Sequence, residues 1–170
     1  MARQNIGRMM RWLIMLIMVV SVINCKNKDI KRAPNFTLED LQGNKHSLSD
    51  YADEIVVLDF WATWCAPCRV EIPHLKRIQN KYKEKGVVVI GVAVSDRKDR
   101  VRDFVQQMDI NYLILMGTNR VAQTYKIKAI PTTYVLDRGN LIHKKFVGFY
   151  PGMENVLMSI IDSLMTLEPQ

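Results

Sequence analysis

Cysteine is scarce in this chain. Only Cys25, Cys65 and Cys68 occur among its 170 residues, which excludes the multiply bridged scaffolds of small secreted proteins. The fold must therefore be stabilised by a hydrophobic core. A chain of this length with 48% hydrophobic residues is sufficient for one ordinary domain. We expect any disulfide in it to serve chemistry rather than cross-linking.

Patterns for metal or nucleic-acid binding are also lacking. A zinc site built on a Cys-x-x-Cys pair needs two further thiol or imidazole ligands at suitable spacing. The chain offers only Cys25 and the scattered His46, His74 and His143, so we expect no metal ion. The net charge of +7 comes partly from amino-terminal arginines and partly from dispersed lysines. Because no basic stripe with interleaved aromatic residues exists, we expect no nucleic-acid partner.

No apolar run is long enough to cross a bilayer comfortably, but a shorter one lies near the amino terminus. Arg3, Arg8 and Arg11 precede the apolar residues 12–23, an order typical of the positive and hydrophobic regions of an export signal. A membrane-spanning helix needs roughly 20 apolar residues. The shorter run therefore favours a cleaved signal over a permanent anchor.

Cys25 lies directly after this apolar run and resembles the acceptor cysteine of a bacterial lipoprotein. The sequence departs from that motif at Asn24, where lipoproteins have a small residue. We predict a signal peptide or membrane anchor over residues 1–25, with Cys25 as a candidate lipidation site, and a polar linker over residues 26–33. A cleaved signal, a lipid anchor, an uncleaved tether and an incidental Cys25 thiol all remain open alternatives.

The most informative motif is Trp64-Cys65-Ala66-Pro67-Cys68, which follows an apolar run and precedes a helical pattern. Two thiols at this spacing can cycle between a dithiol and a disulfide. Backbone N–H groups and the helix dipole would stabilise a thiolate at Cys65, which we predict to be the nucleophile. Cys68 continues the apolar stripe through Ile72 and Leu75, and we expect it to resolve the mixed disulfide. We expect no cofactor besides this redox-active disulfide.

The remaining pattern alternates strands with helices. Near-continuous apolar runs at residues 55–61 and 87–94 predict strands buried on both faces. Hairpins are predicted at 36–48 and 132–147, and apolar residues at helical spacing predict helices near 72–82, 101–108, 121–125 and 153–164. The sequence thus predicts an α/β fold, with a mixed β-sheet and helices on both of its faces.

Residues 59–68 resemble the active-site segment of the thioredoxin family. Ala129-Ile130-Pro131-Thr132 is similar to that family's loop with a cis-proline facing the disulfide, and Pro73 matches the proline that bends the active-site helix. The resemblance implies a thioredoxin-like fold over residues 34–167, with Trp64, Ile130 and Pro131 contacting the substrate.

Within this family the chain is most similar to the exported TlpA/ResA-like branch. It shares the leader, a central helix–strand insertion at about residues 96–116, and a glutamate, Glu71, three residues after Cys68. The resemblance implies a monomeric thiol-disulfide oxidoreductase tethered to a membrane by its amino terminus, in the cell envelope on the extracytoplasmic side. It would reduce protein disulfides of exported proteins, as in cytochrome c maturation, and receive electrons from an integral-membrane thiol donor.

Two other functions occur on related folds. A peroxiredoxin-like thiol peroxidase needs a threonine and an arginine around a single peroxidatic cysteine. A metal-delivery module needs a wider cysteine spacing and a histidine near the cis-proline loop. The Cys65–Cys68 pair favours the oxidoreductase over both.

Two carboxylates accompany the cysteines. Asp59 matches the buried aspartate of thioredoxins, and its apolar surroundings should raise its pKa and suit it to exchange a proton with Cys68. Glu71 lies one turn from Cys68 and is the second candidate, with a solvent-facing side chain paired to Arg77 as the alternative. The lysine that accompanies the aspartate in thioredoxins has an apolar counterpart here, which we place at Val92.

Overall fold

The computed structural model describes residues 31–166. In this part of the chain the strands are β1 (Thr37–Asp40), β2 (Lys45–Ser47), β3 (Ile55–Trp61), β4 (Val87–Ala93), β5 (Leu113–Met116), β6 (Thr132–Asp137) and β7 (Leu141–Val147). The helices are α1 (Ala66–Tyr82), α2 (Lys98–Gln107), α3 (Asn119–Thr124) and α4 (Met153–Thr166). Each predicted strand and helix is present, with ends that differ by a few residues.

The strands form one mixed sheet in the order β2-β1-β5-β4-β3-β6-β7. Strands β3, β4 and β5 are parallel, whereas β6 pairs antiparallel with β3 and β7 antiparallel with β6. All seven residues of β3 are buried, as its unbroken apolar pattern predicts for a central strand. The strand that leads to the cysteines is therefore held rigidly between two neighbours.

The predicted insertion is confirmed. It consists of α2 and β5, and β5 lies between β4 and β1, parallel to the first and antiparallel to the second. The insertion thus joins the amino-terminal hairpin of β1 and β2 to the rest of the sheet.

Two hydrophobic cores lie on opposite faces of the sheet. One contains apolar residues of α1, α2 and α4 together with Val57 and Trp61 of β3. The other contains Leu58 and Phe60 of β3, with residues of α3 packed against it. Because side chains alternate along a strand, β3 contributes to both cores. The predicted helices on both faces are confirmed.

The folded unit begins before residue 34. The Ala33 N–H donates to the Asn140 carbonyl, and the Ile142 N–H donates to the Lys31 carbonyl, both at 2.8 Å. The last three residues of the predicted linker over 26–33 are therefore paired with residues 140–142, around the start of β7. The predicted leader over residues 1–25, including Cys25, lies outside the described residues. Within residues 31–166, no helix is both long and apolar enough to cross a membrane.

Candidate active site

The two cysteines lie at the start of α1. Cys65 is the N-cap residue, Pro67 lies in the first turn, and Cys65 Sγ accepts a hydrogen bond of 3.2 Å from the Cys68 backbone N–H. The two sulfur atoms form a disulfide. Cys65 and Cys68 are only 4% and 1% exposed. The predicted position at a strand-to-helix junction is confirmed, and a thiolate at Cys65 would accept an N–H donor that the helix start leaves free.

The loop before the disulfide is fixed by a residue that sequence reasoning missed. Asp96, just after β4, accepts hydrogen bonds from the Thr63 N–H at 2.7 Å and the Thr63 hydroxyl at 2.6 Å. The Trp64 indole N–H donates to the Ser95 carbonyl at 3.2 Å, yet the side chain is 55% exposed. Trp64 is thus an exposed aromatic side chain held in one orientation next to Cys65.

A polar groove lies alongside this loop. It has a volume of about 430 Å³ and is lined by residues that include Arg69, Arg97, Arg100 and Phe104. The Arg69 guanidinium donates to the Thr63 carbonyl at 2.8 Å and lies over the Phe104 ring, 5.2 Å from its centroid. Helix α2 of the insertion therefore builds one wall of a groove that starts beside the cysteine loop.

The predicted proline loop lies at the same edge of the sheet as the disulfide. The Ile130–Pro131 peptide bond is cis. In the antiparallel pairing of β3 with β6, Phe60 lies opposite Thr132. Pro131 immediately precedes β6 and therefore lies near the end of β3, where the chain turns towards Cys65. Ile130 packs against the core that contains both cysteines.

The two predicted acids are buried together. Asp59 and Glu71 are each 1% exposed. The Thr133 hydroxyl donates a 2.8 Å hydrogen bond to Glu71 Oε1 and lies 3.4 Å from Asp59 Oδ1, which is long for a hydroxyl–carboxyl bond. The solvent-facing alternative for Glu71 is wrong, because Arg77 instead pairs with Glu154 through two hydrogen bonds. Thr133 is a second residue that sequence reasoning missed.

Burial changes the acidity of both carboxyls. It raises the pKa of Glu71 to about 7, against a smaller lowering by the Thr133 hydrogen bond. It also raises the pKa of Asp59 well above its ordinary value, and the nearby negative charge of Glu71 raises it further. A low-dielectric interior disfavours two adjacent charges. The pair therefore holds a proton near neutral pH, one helical turn from Cys68.

The neighbour of Asp59 in β4 is not Val92. Asp59 lies opposite Gly91, whereas Val92 lies opposite Phe60 and packs with it in the core on the other face of the sheet. The prediction was one residue out of register, and in a strand one residue reverses the face. Strand β4 thus places no side chain beside Asp59.

Two of the histidines have partners in separate parts of the fold. His46 contacts Asp40 and Tyr51 in the amino-terminal hairpin, and His74 contacts Glu154 on α4. Within residues 31–166 no group of three or more His, Cys, Asp and Glu side chains is arranged to hold a metal ion.

Comparison with known proteins relates the chain to thiol chemistry. Residues 30–145 match the AhpC/TSA family. The chain is 37% identical over 120 residues to the thiol-disulfide oxidoreductase ResA of Bacillus cereus, covering 69% of each chain. It is equally identical over 120 residues to the thioredoxin-like protein YneN of Bacillus subtilis, covering 69% of this chain and 71% of that one. Among solved structures, a protein assigned as thiol:disulfide interchange protein DsbE of Chlorobium tepidum superposes with a TM-score of 0.75 at 31% identity, covering 79% of this chain and 96% of the other.

Proposed function

This chain belongs to the AhpC/TSA family and is a thiol-disulfide oxidoreductase with a thioredoxin-like fold, and on that premise we propose that it reduces disulfides of exported proteins. The observation that carries the proposal is the Cys65–Cys68 disulfide at the start of α1, with two buried acids behind it. A reductase needs one thiol that attacks and a second that releases the product, and this site supplies both.

The reaction begins from the dithiol form. The Cys65 thiolate attacks one sulfur of the substrate disulfide, the other substrate sulfur leaves as a thiolate, and a mixed disulfide forms on Cys65. Cys68 then attacks Cys65 Sγ, which breaks the mixed disulfide and releases the second substrate sulfur as a thiolate. Two electrons have moved to the substrate, and the Cys65–Cys68 disulfide has formed.

The second attack requires Cys68 to lose a proton in a buried site. We propose that Asp59 and Glu71 accept this proton, and a pKa near neutrality suits Glu71 to a proton transfer at physiological pH. In the reverse direction, when the disulfide is reduced again, the pair returns the proton to Cys68. We assign Asp59 and Glu71 this shared role.

The edge of the sheet around the disulfide is the proposed docking surface. Trp64 offers exposed aromatic area, of the kind that anchors protein partners. Ile130 and Pro131 precede β6 beside it, and we propose that an extended segment of the substrate pairs with the backbone of this loop.

The cellular setting extends the same proposal. The arginines and apolar run of the first 25 residues support export and a tether to the membrane. We propose that the domain is a monomer on the extracytoplasmic side of the cell envelope, where a membrane thiol donor reduces its disulfide. Cytochrome c apoprotein is the proposed example of a substrate.

The experiment that tests the reductase function uses Cys65→Ser and Cys68→Ser in the full-length protein with a disulfide-bonded test protein such as insulin. Cys65→Ser should abolish turnover, whereas Cys68→Ser should accumulate a mixed disulfide on Cys65, detected by mass spectrometry. Lys83→Ser on the protein surface is the control and should leave turnover unchanged. Trapping on Cys68 would reverse the assignment, and consumption of hydrogen peroxide without disulfide reduction would contradict the proposal.

Location is tested by cell fractionation with and without residues 1–25. The intact chain should sediment with membranes, and loss of the leader should leave the domain in the cytosol. Release from the membrane by Cys25→Ala would indicate lipid attachment, and retention would indicate an uncleaved anchor. A cytosolic intact chain would contradict export.

A further inference from the structure

The Arg69 guanidinium is held in one orientation at the polar groove beside the cysteine loop. Its Nε–H donates to the Thr63 carbonyl at 2.8 Å, and its plane lies over the Phe104 ring, 5.2 Å from the centroid. Within residues 31–166 its terminal nitrogens, Nη1 and Nη2, make no hydrogen bond. Since Arg69 lines the groove, these N–H donors are available to a molecule that lies in it.

Two acids near Arg69 already have other partners. Asp99 accepts two hydrogen bonds from the Arg97 guanidinium, at 3.1 Å and 2.6 Å, so the charges of this pair largely cancel. The Asp96 side chain is inaccessible to solvent. Its Oδ2 accepts from the cysteine loop, and its Oδ1 accepts from the backbone N–H of Arg97 at 2.9 Å. Both carboxyl groups are therefore occupied, and neither pairs with Arg69.

The remaining charges of the groove give an excess of positive charge. Arg100 Nη1 lies 4.0 Å from Asp96 Oδ1, which is beyond hydrogen-bond distance, so Arg100 also has N–H donors to offer. Asp103 is the remaining acid that lines the groove. Arg69 and Arg100 together outweigh the single negative charge of Asp103, and the groove therefore favours an anionic group.

The groove lies within reach of a polypeptide bonded to Cys65. Thr63, which lines it, is two residues before Cys65, and Arg69 directly follows Cys68. Consecutive Cα atoms are about 3.8 Å apart, so the Thr63 and Cys65 Cα atoms are at most about 7.6 Å apart. An extended chain advances about 3.3 Å per residue. A substrate segment that runs from Cys65 towards α2 therefore brings residues roughly two to four positions from its own cysteine to the groove.

We propose that this groove binds the carboxylate of an aspartate or glutamate that lies close in sequence to the substrate disulfide. Arg69 is the specificity-determining residue, because Nη1 and Nη2 together match the two oxygens of a carboxylate. Thr63 and Phe104 already fix the guanidinium, so little side-chain freedom is lost on binding. The inference rests on the proposed function and adds the substrate class, which is protein disulfides with acidic neighbours.

Matched peptides test the inference with the full-length reduced protein. Each peptide carries one cysteine as a mixed disulfide with 2-thiopyridine, and a glutamate, glutamine or lysine two, three or four positions away. Cys65 attacks the peptide sulfur, pyridine-2-thione leaves, and its absorbance reports the rate. At one of these positions the glutamate peptide should react about three- to fivefold faster than the glutamine peptide, as a partly exposed ion pair allows. The lysine peptide should react more slowly than the glutamine peptide, and added salt should reduce both differences.

Variants of the groove should change the ratio of the glutamate rate to the glutamine rate. Arg69→Gln should bring this ratio to about one, and because it is a ratio it is insensitive to any change in Cys65 reactivity that loss of the Thr63 contact causes. Arg100→Gln should lower the ratio in part, whereas Asp103→Asn should raise it. Arg120→Gln is the matched control and should keep the ratio, because α3 packs on the other face of the sheet.

A binding measurement separates this inference from the proposed function. The ¹H–¹⁵N NMR signal of the Arg69 Nε–H, assigned by its loss in Arg69→Gln, is followed in the oxidised full-length protein. The probes are the glutamate and glutamine peptides with serine in place of cysteine. The glutamate peptide should shift the signal saturably and the glutamine peptide should not.

The two measurements give distinct outcomes. A saturable shift supports the carboxylate site even if the protein reduces no disulfide, and in that case the absence of a shift overturns it. If the protein is an active reductase, equal rates for the glutamate and glutamine peptides overturn the inference and leave the reductase function intact. A faster lysine peptide, a lower ratio in Asp103→Asn, or an equal loss of the ratio in Arg120→Gln would also overturn it.

Discussion

The Thr133 hydroxyl donates a hydrogen bond of 2.8 Å to Glu71, and both side chains are buried. This bond connects strand β6 to the first part of helix α1, just after the redox disulfide. The bond is made to Oε1 of the Glu71 carboxyl group, and the other oxygen, Oε2, points elsewhere in the core. The hydroxyl thereby fixes the orientation of the acid that is proposed to take up the Cys68 proton.

Replacing Thr133 with valine should make Glu71 a weaker acid. Valine keeps the β-branched shape but removes the donor that lowers the pKa of Glu71, so the acidic limb of mixed-disulfide release should move to higher pH by roughly half to one unit. Stopped-flow measurement of mixed-disulfide release across pH checks this.

The control is Thr132→Val, because the Thr132 hydroxyl donates to the Ala129 carbonyl. It should lower stability and keep the limb in place, and identical profiles for Thr133→Val and wild type would contradict the role of Thr133.

The amides Asp59→Asn and Glu71→Gln should each change the pH dependence of disulfide exchange. Because the charge of Glu71 raises the pKa of Asp59, Glu71→Gln should shift the remaining limb to lower pH and slow the step. If the two acids are coupled, the change in pH dependence in the double variant will differ from the sum of the changes in the two single variants. The rate of Cys68 alkylation across pH measures this. Unchanged profiles in both single variants would show that the acids are structural.

Stability of the oxidised domain should fall as pH rises from about 4.5 to about 8. The folded state raises the pKa of Glu71 from 4.5 to about 7, so folding favours its protonated form, and that advantage is lost as the acid ionises. The loss amounts to about 3 kcal/mol for Glu71 alone. Urea unfolding at several pH values measures it, and Glu71→Gln should flatten the dependence.

Glu154→Gln is the control for this stability profile, because folding shifts the pKa of Glu154 in the opposite direction to that of Glu71. Hydrogen bonds from Arg77 and, to a smaller extent, from His74 lower the pKa of Glu154 to about 2. Burial acts in the opposite direction but does not outweigh them. The ionised Glu154 side chain therefore stabilises the fold at every pH above its ordinary pKa of 4.5, and this stabilisation is lost only as the pH falls below that value. Glu154→Gln should lower stability across the range and leave the slope unchanged. A slope in Glu71→Gln equal to that of the wild type would contradict the prediction.

Trp64→Ala should weaken the binding of protein substrates. The indole is held outward by its hydrogen bond to Ser95, and loss of an aromatic anchor costs about tenfold or more in affinity. We expect KM for a protein disulfide to rise by about that factor, while the rate of reduction by dithiothreitol stays similar. Val156→Ala, at a 40% exposed position on α4, is the control. An unchanged KM in Trp64→Ala would remove Trp64 from the docking surface.

The sequence by itself determined the redox pair and most of the fold. Strand β3 and the position of Cys65 at the start of α1 follow from local patterns, whereas the insertion of α2 and β5 and the loop at Pro131 were implied by the resemblance to the thioredoxin family. Apolar runs, helical periodicity and the spacing of two thiols are properties of short segments, and short segments carry them whatever surrounds them. Strand β3 and the place of Cys65 were therefore predictable without knowledge of the strand order.

The face on which Glu71 lies was decided by the tertiary structure. Periodicity alone left its side chain between solvent and core, and the packing of α1 against β6 settled the choice. The tertiary structure also decided which residue of β4 lies beside Asp59. The sequence analysis placed Val92 there, whereas the pairing of β3 with β4 puts Gly91 opposite Asp59.

Thr133 and Asp96 were not recognisable from the sequence, because each contacts a residue far along the chain. Thr133 lies 62 residues from Glu71, and Asp96 lies 33 residues from Thr63. Such contacts depend on sheet order and register, which bring distant segments to one place, and a lone threonine or aspartate has no local pattern that reveals its partner. The sequence determined which atoms exchange electrons, and the tertiary structure decided which groups surround them and handle the proton.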